Sequence, residues 1–84
     1  MLSMALMAQD VAQAFGQVLR RARIQSRLSQ EALAACANIS VTYVSLLERG
    51  RRTPTLGVLL ALATALRISP EFLVIETRAL LREP

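Results

Sequence analysis

The sequence predicts an all-α fold of five helices in a single domain, and two patterns support this prediction. Apolar residues recur at helical spacing, as Phe15, Leu19 and Ala22 do near the start. Residues that favour the first or last position of a helix recur along the chain, at Ser29, Asn38, Ser40, Gly50, Thr55 and Ser69. We therefore expect one domain over residues 9–84 and a flexible or helical extension at 1–8. The helices are expected at about 9–26, 30–37, 41–49, 56–66 and 70–82.

The composition of the 84-residue chain argues against an enzyme. It contains no histidine and no lysine, which removes histidine acid–base catalysis and Schiff-base chemistry. Its only cysteine, Cys36, lacks the further ligands that a zinc site needs, and we expect it to pack in the core. We predict no enzymatic activity, no bound metal and no cofactor.

The net charge of +4 is unevenly distributed along the chain. Seven of the ten arginines lie between Arg20 and Arg52, where two glutamates oppose them and leave a balance of +5. The remainder has three arginines against four carboxylates, a balance of −1. A basic half joined to a nearly neutral half is typical of a protein that binds a polyanion on one face, although a solvated arginine surface gives the same count.

Apolar residues make up 54% of the chain, a high share for a domain of this size. No run of eighteen apolar residues occurs, so we expect no membrane-spanning helix. The opening MLSMALMA contains no basic residue, so we expect no signal peptide and a cytoplasmic location. We predict that a partner protein covers the surplus apolar surface.

The stretch from Leu28 to Gly50 predicts two short helices joined by a tight turn. Ser29 and Ser40 are expected N-caps, because a serine hydroxyl accepts a hydrogen bond from a free N–H group of the first turn. Asn38 tolerates the left-handed conformation in which helices often end, and the glycine ends the second helix in the same way. Two short helices with a turn of about three or four residues form a helix-turn-helix unit.

Four sequence elements at matching spacings resemble the Cro and phage-repressor type of helix-turn-helix domain, often called XRE-like. They are Leu28–Glu31, Ser40, Leu47–Gly50 and Pro54–Leu56, and the resemblance covers about residues 11–73. It implies a compact five-helix, lambda-repressor-like bundle in which helices 2 and 3 form the helix-turn-helix and bind operator DNA, usually as a two-fold dimer. It also implies that Gln30 contacts a phosphate and braces the recognition helix.

The predicted DNA contacts lie on the third helix and beside it, because the N-terminal residues of this helix meet base edges in the major groove. They are Gln30, Ser40, Val41, Thr42, Tyr43, Ser45, Arg49, Arg51 and Arg52. Val41 is apolar, which leaves Thr42 as the main polar reader and predicts sparse, shape-assisted recognition of double-stranded DNA. Tyr43 either contacts a phosphate or is a half-buried surface aromatic residue.

Arg23 and Glu48 carry charge, but the resemblance does not assign them to DNA. In similar domains an arginine of the first helix pairs with the glutamate at the end of the recognition helix. The resemblance therefore implies a structural salt bridge between these two residues. Removal of one partner is expected to leave a buried charge and to cost about 3–5 kcal/mol.

The fourth and fifth helices carry more apolar residues than one core needs. We expect a homodimer interface made of Val58, Leu60, Phe72, Ile75 and Leu80. The alternative is that Phe72 and Leu80 close the core of the monomer. Along the fourth helix, Leu62 is expected to lie partly outside the buried stripe, which is formed by Leu56, Leu59, Ala63 and Leu66.

The leading functional hypothesis is a bacterial or phage transcriptional regulator that binds a palindromic operator as a homodimer. The chain resembles stand-alone regulators such as the controller proteins of restriction–modification systems. The alternative is a protein-interaction module, an antitoxin or anti-repressor, whose main ligand is a toxin or another regulator and whose affinity for DNA is secondary. The arginine cluster favours the first hypothesis, and the sparse polar recognition surface favours the second.

Overall fold

The structure, a computed structural model, describes the backbone of residues 4–82 and the side chains of residues 7–81. This part of the chain contains five α-helices and no strand. They are α1 (Met4–Gln25), α2 (Gln30–Ala37), α3 (Val41–Glu48), α4 (Leu56–Leu66) and α5 (Pro70–Arg82). The all-α prediction is therefore confirmed.

Helix α1 begins at Met4, five residues before the expected start at 9. Residues 4–8 of the expected extension are thus part of α1, because Met, Ala and Leu are strong helix formers and no breaker separates them from Gln9. Residues 1–3 lie outside the described residues. Helix α3 ends at Glu48, one residue earlier than expected, and Arg49 is its C-cap.

Hydroxyl side chains start the four later helices. Each accepts a hydrogen bond at 3.0–3.1 Å from the backbone N–H group three residues ahead. The four residues are Ser29, Ser40, Thr55 and Ser69. An N-cap of this kind stabilises a helix by about 1 kcal/mol. The short α2 and α3 depend on such local support, because two-turn helices are unstable alone.

Residues in the left-handed conformation follow the ends of the first four helices. Asn38 has φ 58° and Gly50 has φ 73°, as their residue types predict. Arg27 and Arg67 adopt the same conformation with φ 59°, which the sequence does not signal. After α2, for example, the N–H of Ile39 donates to the carbonyl of Ala34 at 3.0 Å. This hydrogen-bond pattern reverses the chain within two residues and keeps the turns short.

One apolar core joins all five helices. Helix α1 packs on α3 and α5, while α2 packs on α3 and α4. The largest fully buried side chains are Leu19, Leu33, Val44, Leu47, Leu62 and Leu73. Since Val44 and Leu47 are both fully buried, α3 presents its opposite side to the solvent.

Two expectations about burial are wrong. Leu56 is 71% exposed, whereas Leu62 is fully buried. Helix α4 is apolar on nearly every side, so spacing alone does not identify its buried face; Leu56 lies in the first turn of the helix, before the buried residues Leu62, Ala63 and Leu66. Cys36 is exposed. Ala37 lies at the edge of the buried face of α2, and Cys36 lies about 100° further around the helix.

Helices α4 and α5 leave a large apolar patch on the surface. It consists of Leu56, Leu60, Phe72, Val74, Ile75 and Leu81, which are 42–71% exposed. Of the expected dimer residues, Val58 and Leu80 instead pack against the core and are partly buried.

Within residues 4–82, no single helix has the length and apolarity to cross a membrane. The pair Leu56–Leu66 and Pro70–Leu81 is long and apolar enough when the two are taken together, but it is bent by 108°, and length and composition are the only criteria it meets.

Gly16 marks the point where α1 crosses the last turn of α3. A Cβ atom at Gly16 would lie 2.5 Å from the carbonyl oxygen of Leu47 and 2.7 Å from that of Glu48. Real Cβ atoms do not approach carbonyl oxygens so closely, so only glycine permits this distance between the two backbones. The close approach at this glycine therefore joins α1 to the end of α3.

Arg23 and Glu48 form the ion pair that the resemblance implied. Arg23 Nε lies 2.6 Å from Glu48 Oε2, and Nη2 lies 3.1 Å from Oε1. Arg23 Nη1 also donates to the carbonyl of Leu28 at 2.8 Å, and Gln30 Nε2 donates to Glu48 Oε1 at 3.1 Å. The two charged side chains are only 13% and 4% exposed. This network, together with the Gly16 contact, is called the α1–α3 joint below.

The hydrogen bonds that Arg23 donates to Glu48 raise the pKa of its guanidinium, and the negative charge adds to this effect against the opposing cost of burial. The Arg23 guanidinium therefore stays charged wherever the protein is folded near neutral pH. Among the described residues, no buried side-chain nitrogen or oxygen lacks a hydrogen-bond partner. The joint is thus satisfied, as a buried ion pair must be if it is not to destabilise the fold.

We predict that Gly16→Ala destabilises the protein although alanine favours helices. The added methyl group would force α1 and α3 apart, and overpacking of this kind costs about 1–3 kcal/mol. Urea unfolding followed by circular dichroism measures the change. Gly57→Ala is the control, because a Cβ atom there meets nothing closer than 4.0 Å. Equal stability of the two variants would contradict the close-contact interpretation.

Candidate nucleic-acid interface

The free side of α3 carries a mixed apolar, polar and basic stripe. Val41, Ser45 and Arg49 follow one another at intervals of four residues and share a face, with Thr42 beside them. Val41 is 41% exposed, and Thr42 and Arg49 are also exposed. Eight residues make α3 about 12 Å long, which fits within the width of a DNA major groove.

The turn before α3 leaves the first residues of this helix accessible. Ser40 caps the helix by accepting a hydrogen bond from the N–H of Tyr43 at 3.0 Å, so its hydroxyl already has one partner. Tyr43 is half-buried, and its side chain packs against the core. Ser40 and Tyr43 therefore hold α3 in place, and Val41 and Thr42 present their side chains to the solvent.

A polar depression of about 280 Å³ lies beside the second half of α3. It is lined by Arg20, Arg23, Gln30, Ser45, Glu48 and Arg49. Three predicted DNA contacts, Gln30, Ser45 and Arg49, are thus brought together. Because Arg23 and Glu48 neutralise each other, the charge of this depression comes from Arg20 and Arg49. Two guanidinium groups without a carboxylate partner suit a phosphate.

The predicted contact residues differ in whether their side chains already form hydrogen bonds within the protein. The amide nitrogen of Gln30 donates to Glu48, so this residue is oriented before any ligand arrives. Arg49 Nε donates to the carbonyl of Ser45 at 3.3 Å, which lays the side chain along α3. Arg51 and Arg52 are exposed in the loop between α3 and α4 and do not line the polar depression.

Arg20 also lines the polar depression, beside three of the predicted DNA contacts. The available signal was its position three residues before Arg23, which places both on one face of α1. Leu46, on α3 next to Ser45, is half-buried. The described residues contain no group of three or more metal-ligating side chains.

Comparison with known proteins identifies the family. The profile of the helix-turn-helix family matches residues 19–73. The chain is 41% identical over 68 residues to the HTH-type transcriptional regulator y4dJ of Sinorhizobium fredii, covering 81% of this chain and 88% of that protein. It is 40% identical over 69 residues to the HTH-type transcriptional regulator Rv0474 of Mycobacterium tuberculosis, covering 82% of this chain and 48% of that protein.

A solved structure agrees in fold and in sequence. The restriction-modification controller protein C.AhdI from Aeromonas hydrophila superposes with a TM-score of 0.72 and 45% identity, over 74% of this chain and 94% of that one. The matched region includes every candidate DNA contact, because residues 19–73 contain Arg20 to Arg52. The chain therefore belongs to the helix-turn-helix family of DNA-binding transcriptional regulators, of the Cro and phage-repressor (XRE) type, and is not an enzyme.

Proposed function

We propose that the protein is a homodimer that regulates transcription in the cytoplasm by binding a palindromic DNA operator with α3 in the major groove. The observation that carries this proposal is the free face of α3, where exposed Val41, Thr42 and Arg49 lie beside arginines that are not paired with carboxylates among the described residues. The N-terminal end of such a helix is the part that meets base edges.

Base recognition falls to the first half of α3. The exposed methyl groups of Val41 and Thr42 suit the C5-methyl group of thymine, and the hydroxyl groups of Thr42 and Ser45 can donate or accept. None of these side chains makes the bidentate contacts that distinguish guanine or adenine most strongly. One copy of the domain therefore has modest sequence specificity, and a second copy doubles the sequence that is read.

Affinity comes mainly from the phosphates. Arg20 and Arg49 flank the polar depression, and Arg51 and Arg52 follow α3 in the next loop. Four such contacts per copy would give a plot of log affinity against log salt a slope of about −3 to −4 per subunit. The pre-oriented Gln30 amide and the hydroxyl of Tyr43 are neutral candidates for further phosphate contacts.

A dimer supplies the second reading helix. Two-fold symmetry places two recognition helices about 34 Å apart, one turn of DNA, so that both read one face of a palindrome. The exposed apolar patch of α4 and α5 is the surface proposed for this pairing. The similarity to the restriction-modification controller protein C.AhdI, over 94% of that chain, supports a regulatory role.

We predict that binding to DNA weakens steeply with salt and that Arg51→Gln weakens it on all sequences alike. The loss of one phosphate contact lowers the slope by about 0.9 per subunit. Fluorescence anisotropy with operator and random duplexes at several salt concentrations measures both quantities. Arg67→Gln is the control, since this exposed arginine lies in the turn between α4 and α5 and its loss changes the net charge equally. Salt-independent affinity, or equal effects of the two variants, would contradict the proposed interface.

We also predict that the 9.2-kDa chain sediments as a dimer at micromolar concentration and that Ile75→Glu makes it a monomer. A charge in the middle of an apolar interface stays desolvated and unpaired. Ile24→Glu is the matched control, because Ile24 on α1 is 55% exposed and Ile75 is 54% exposed. A wild-type chain that remains monomeric would contradict the homodimer and favour the alternative of a different protein, such as a toxin, on this patch.

A further inference from the structure

We propose that two copies of the chain pair through α5 in antiparallel orientation, with Glu71 of each copy opposite Arg78 of the other. The proposal rests on the homodimer proposed above and specifies its register. It follows from the charges on the exposed face of α5. When a two-fold rotation exchanges the two copies, the acidic residue of each face lies next to the basic residue of the other.

Four residues that recur at helical spacing form this face. Glu71, Val74, Ile75 and Arg78 are separated by three, one and three residues, and all four are exposed. At about 100° per residue they fall within an arc of roughly 100°. The opposite side of α5 is buried, where Leu73 and Thr77 meet the core with exposures of 0% and 8%. The four residues therefore point away from their own domain.

The order of charges along this face suits an antiparallel partner. The acidic residue lies three positions before Val74, and the basic residue lies three positions after Ile75. A two-fold axis that passes between the paired helices, level with the midpoint between Val74 and Ile75, therefore brings Glu71 next to Arg78 of the partner subunit and forms the reciprocal pair as well. Each interface then contains two ion pairs around an apolar centre.

These charges do not pair within one chain. Seven residues of helix separate Glu71 from Arg78 by about 10 Å along the axis, beyond the reach of a direct ion pair. Neither side chain forms an ion pair with any other residue in the part of the chain that the structure describes. Both remain free to meet a second molecule.

The surface beside this face is apolar. Two apolar depressions of about 350 and 390 Å³ border Val74, which lines both of them. One of them includes Arg78 and the other includes Glu71. An antiparallel two-fold pairing places both depressions inside the interface, where apolar side chains of the other copy cover them. Both surfaces then bury apolar area, which is the main driving force of association.

Parallel pairing is disfavoured by the same charges. It would place Glu71 next to the same residue of the partner and Arg78 next to its own equivalent, so that both contacts repel. Like charges that face each other across an interface weaken binding and suppress the wrong register. The two orientations also respond differently to substitution, which makes them distinguishable in solution.

The test compares Glu71→Arg, Arg78→Glu and the double variant by analytical ultracentrifugation. In an antiparallel dimer each single variant replaces two attractions with two repulsions, and we expect its dissociation constant to rise by about tenfold or more. The double variant restores both pairs and returns to about the wild-type value. An equimolar mixture of the two single variants forms a mixed dimer, because one chain is basic and the other acidic on this face.

Controls separate the interface from effects on folding. Glu31 lies in the first turn of α2, and Glu71 lies in the first turn of α5. Glu31→Arg therefore changes the net charge as Glu71→Arg does, and it removes an acidic residue from a helix N-terminus in the same way. Arg21→Glu on α1 matches Arg78→Glu, since both arginines are exposed. Far-UV circular dichroism checks that every variant is folded. Neither control is expected to change the dissociation constant by more than about twofold.

Three results would overturn the proposal. If the wild-type chain dimerises and the single variants behave as their controls do, the α5 register is wrong while the homodimer stands. If the single variants weaken the dimer and neither the double variant nor the mixture restores it, the two residues do not face each other. If the wild-type chain is monomeric at all concentrations, both the register and the proposed homodimer fail.

Discussion

The contact between α1 and the last turn of α3 is the constraint on which the arrangement of the DNA-reading surface depends. Gly16 lets the backbone of α1 reach the carbonyl groups of α3, and Arg23 and Glu48 join the same two helices a short distance away. An eight-residue helix has little stability of its own, so its position must be set from outside. The α1–α3 joint fixes the end of α3 and leaves its beginning, at Val41 and Thr42, free to meet DNA.

The joint also divides the arginines into two groups. Arg23 is buried, paired and unavailable to a ligand, and it gives rigidity rather than charge. Arg20, Arg49, Arg51 and Arg52 remain on the surface and supply the positive field. The buried pair thus positions α3, and the free arginines provide affinity for DNA phosphates. On the far side, α4 and α5 expose apolar side chains, which keeps the proposed pairing surface apart from the DNA-reading surface.

Sequence reasoning located the helices because their boundaries are local. Ser29, Asn38 and Ser40 each act through hydrogen bonds or backbone preferences within a few residues, and the structure has these helix ends where the sequence places them. Arg27 and Arg67 also adopt the left-handed conformation, although arginine does not favour it. At both positions the next residue donates a backbone hydrogen bond to the preceding helix, from Leu28 to Arg23 and from Ile68 to Ala63, so the reversal does not depend on the side chain.

Burial was less predictable, since it depends on which neighbour each face meets. Helix α4 is apolar on most sides, so the exposure of Leu56 and the burial of Leu62 follow from the placement of α2 and α5 against it. Cys36 is exposed for a similar reason. The part of the site that lies along α3 was predictable from helical spacing, whereas the placement of Arg20 beside Arg49 depends on how α1 crosses α3.

A double-mutant cycle on the joint tests this account most directly. Urea unfolding of Arg23→Ala, Glu48→Ala and the double variant gives the coupling free energy of the pair. We predict that each single change lowers the free energy of unfolding by about 3–5 kcal/mol, because each leaves a charge buried. The double variant should lose less than the sum by at least about 1 kcal/mol. Additive losses, or no loss on removal of Glu48, would contradict the view that this pair holds the recognition helix.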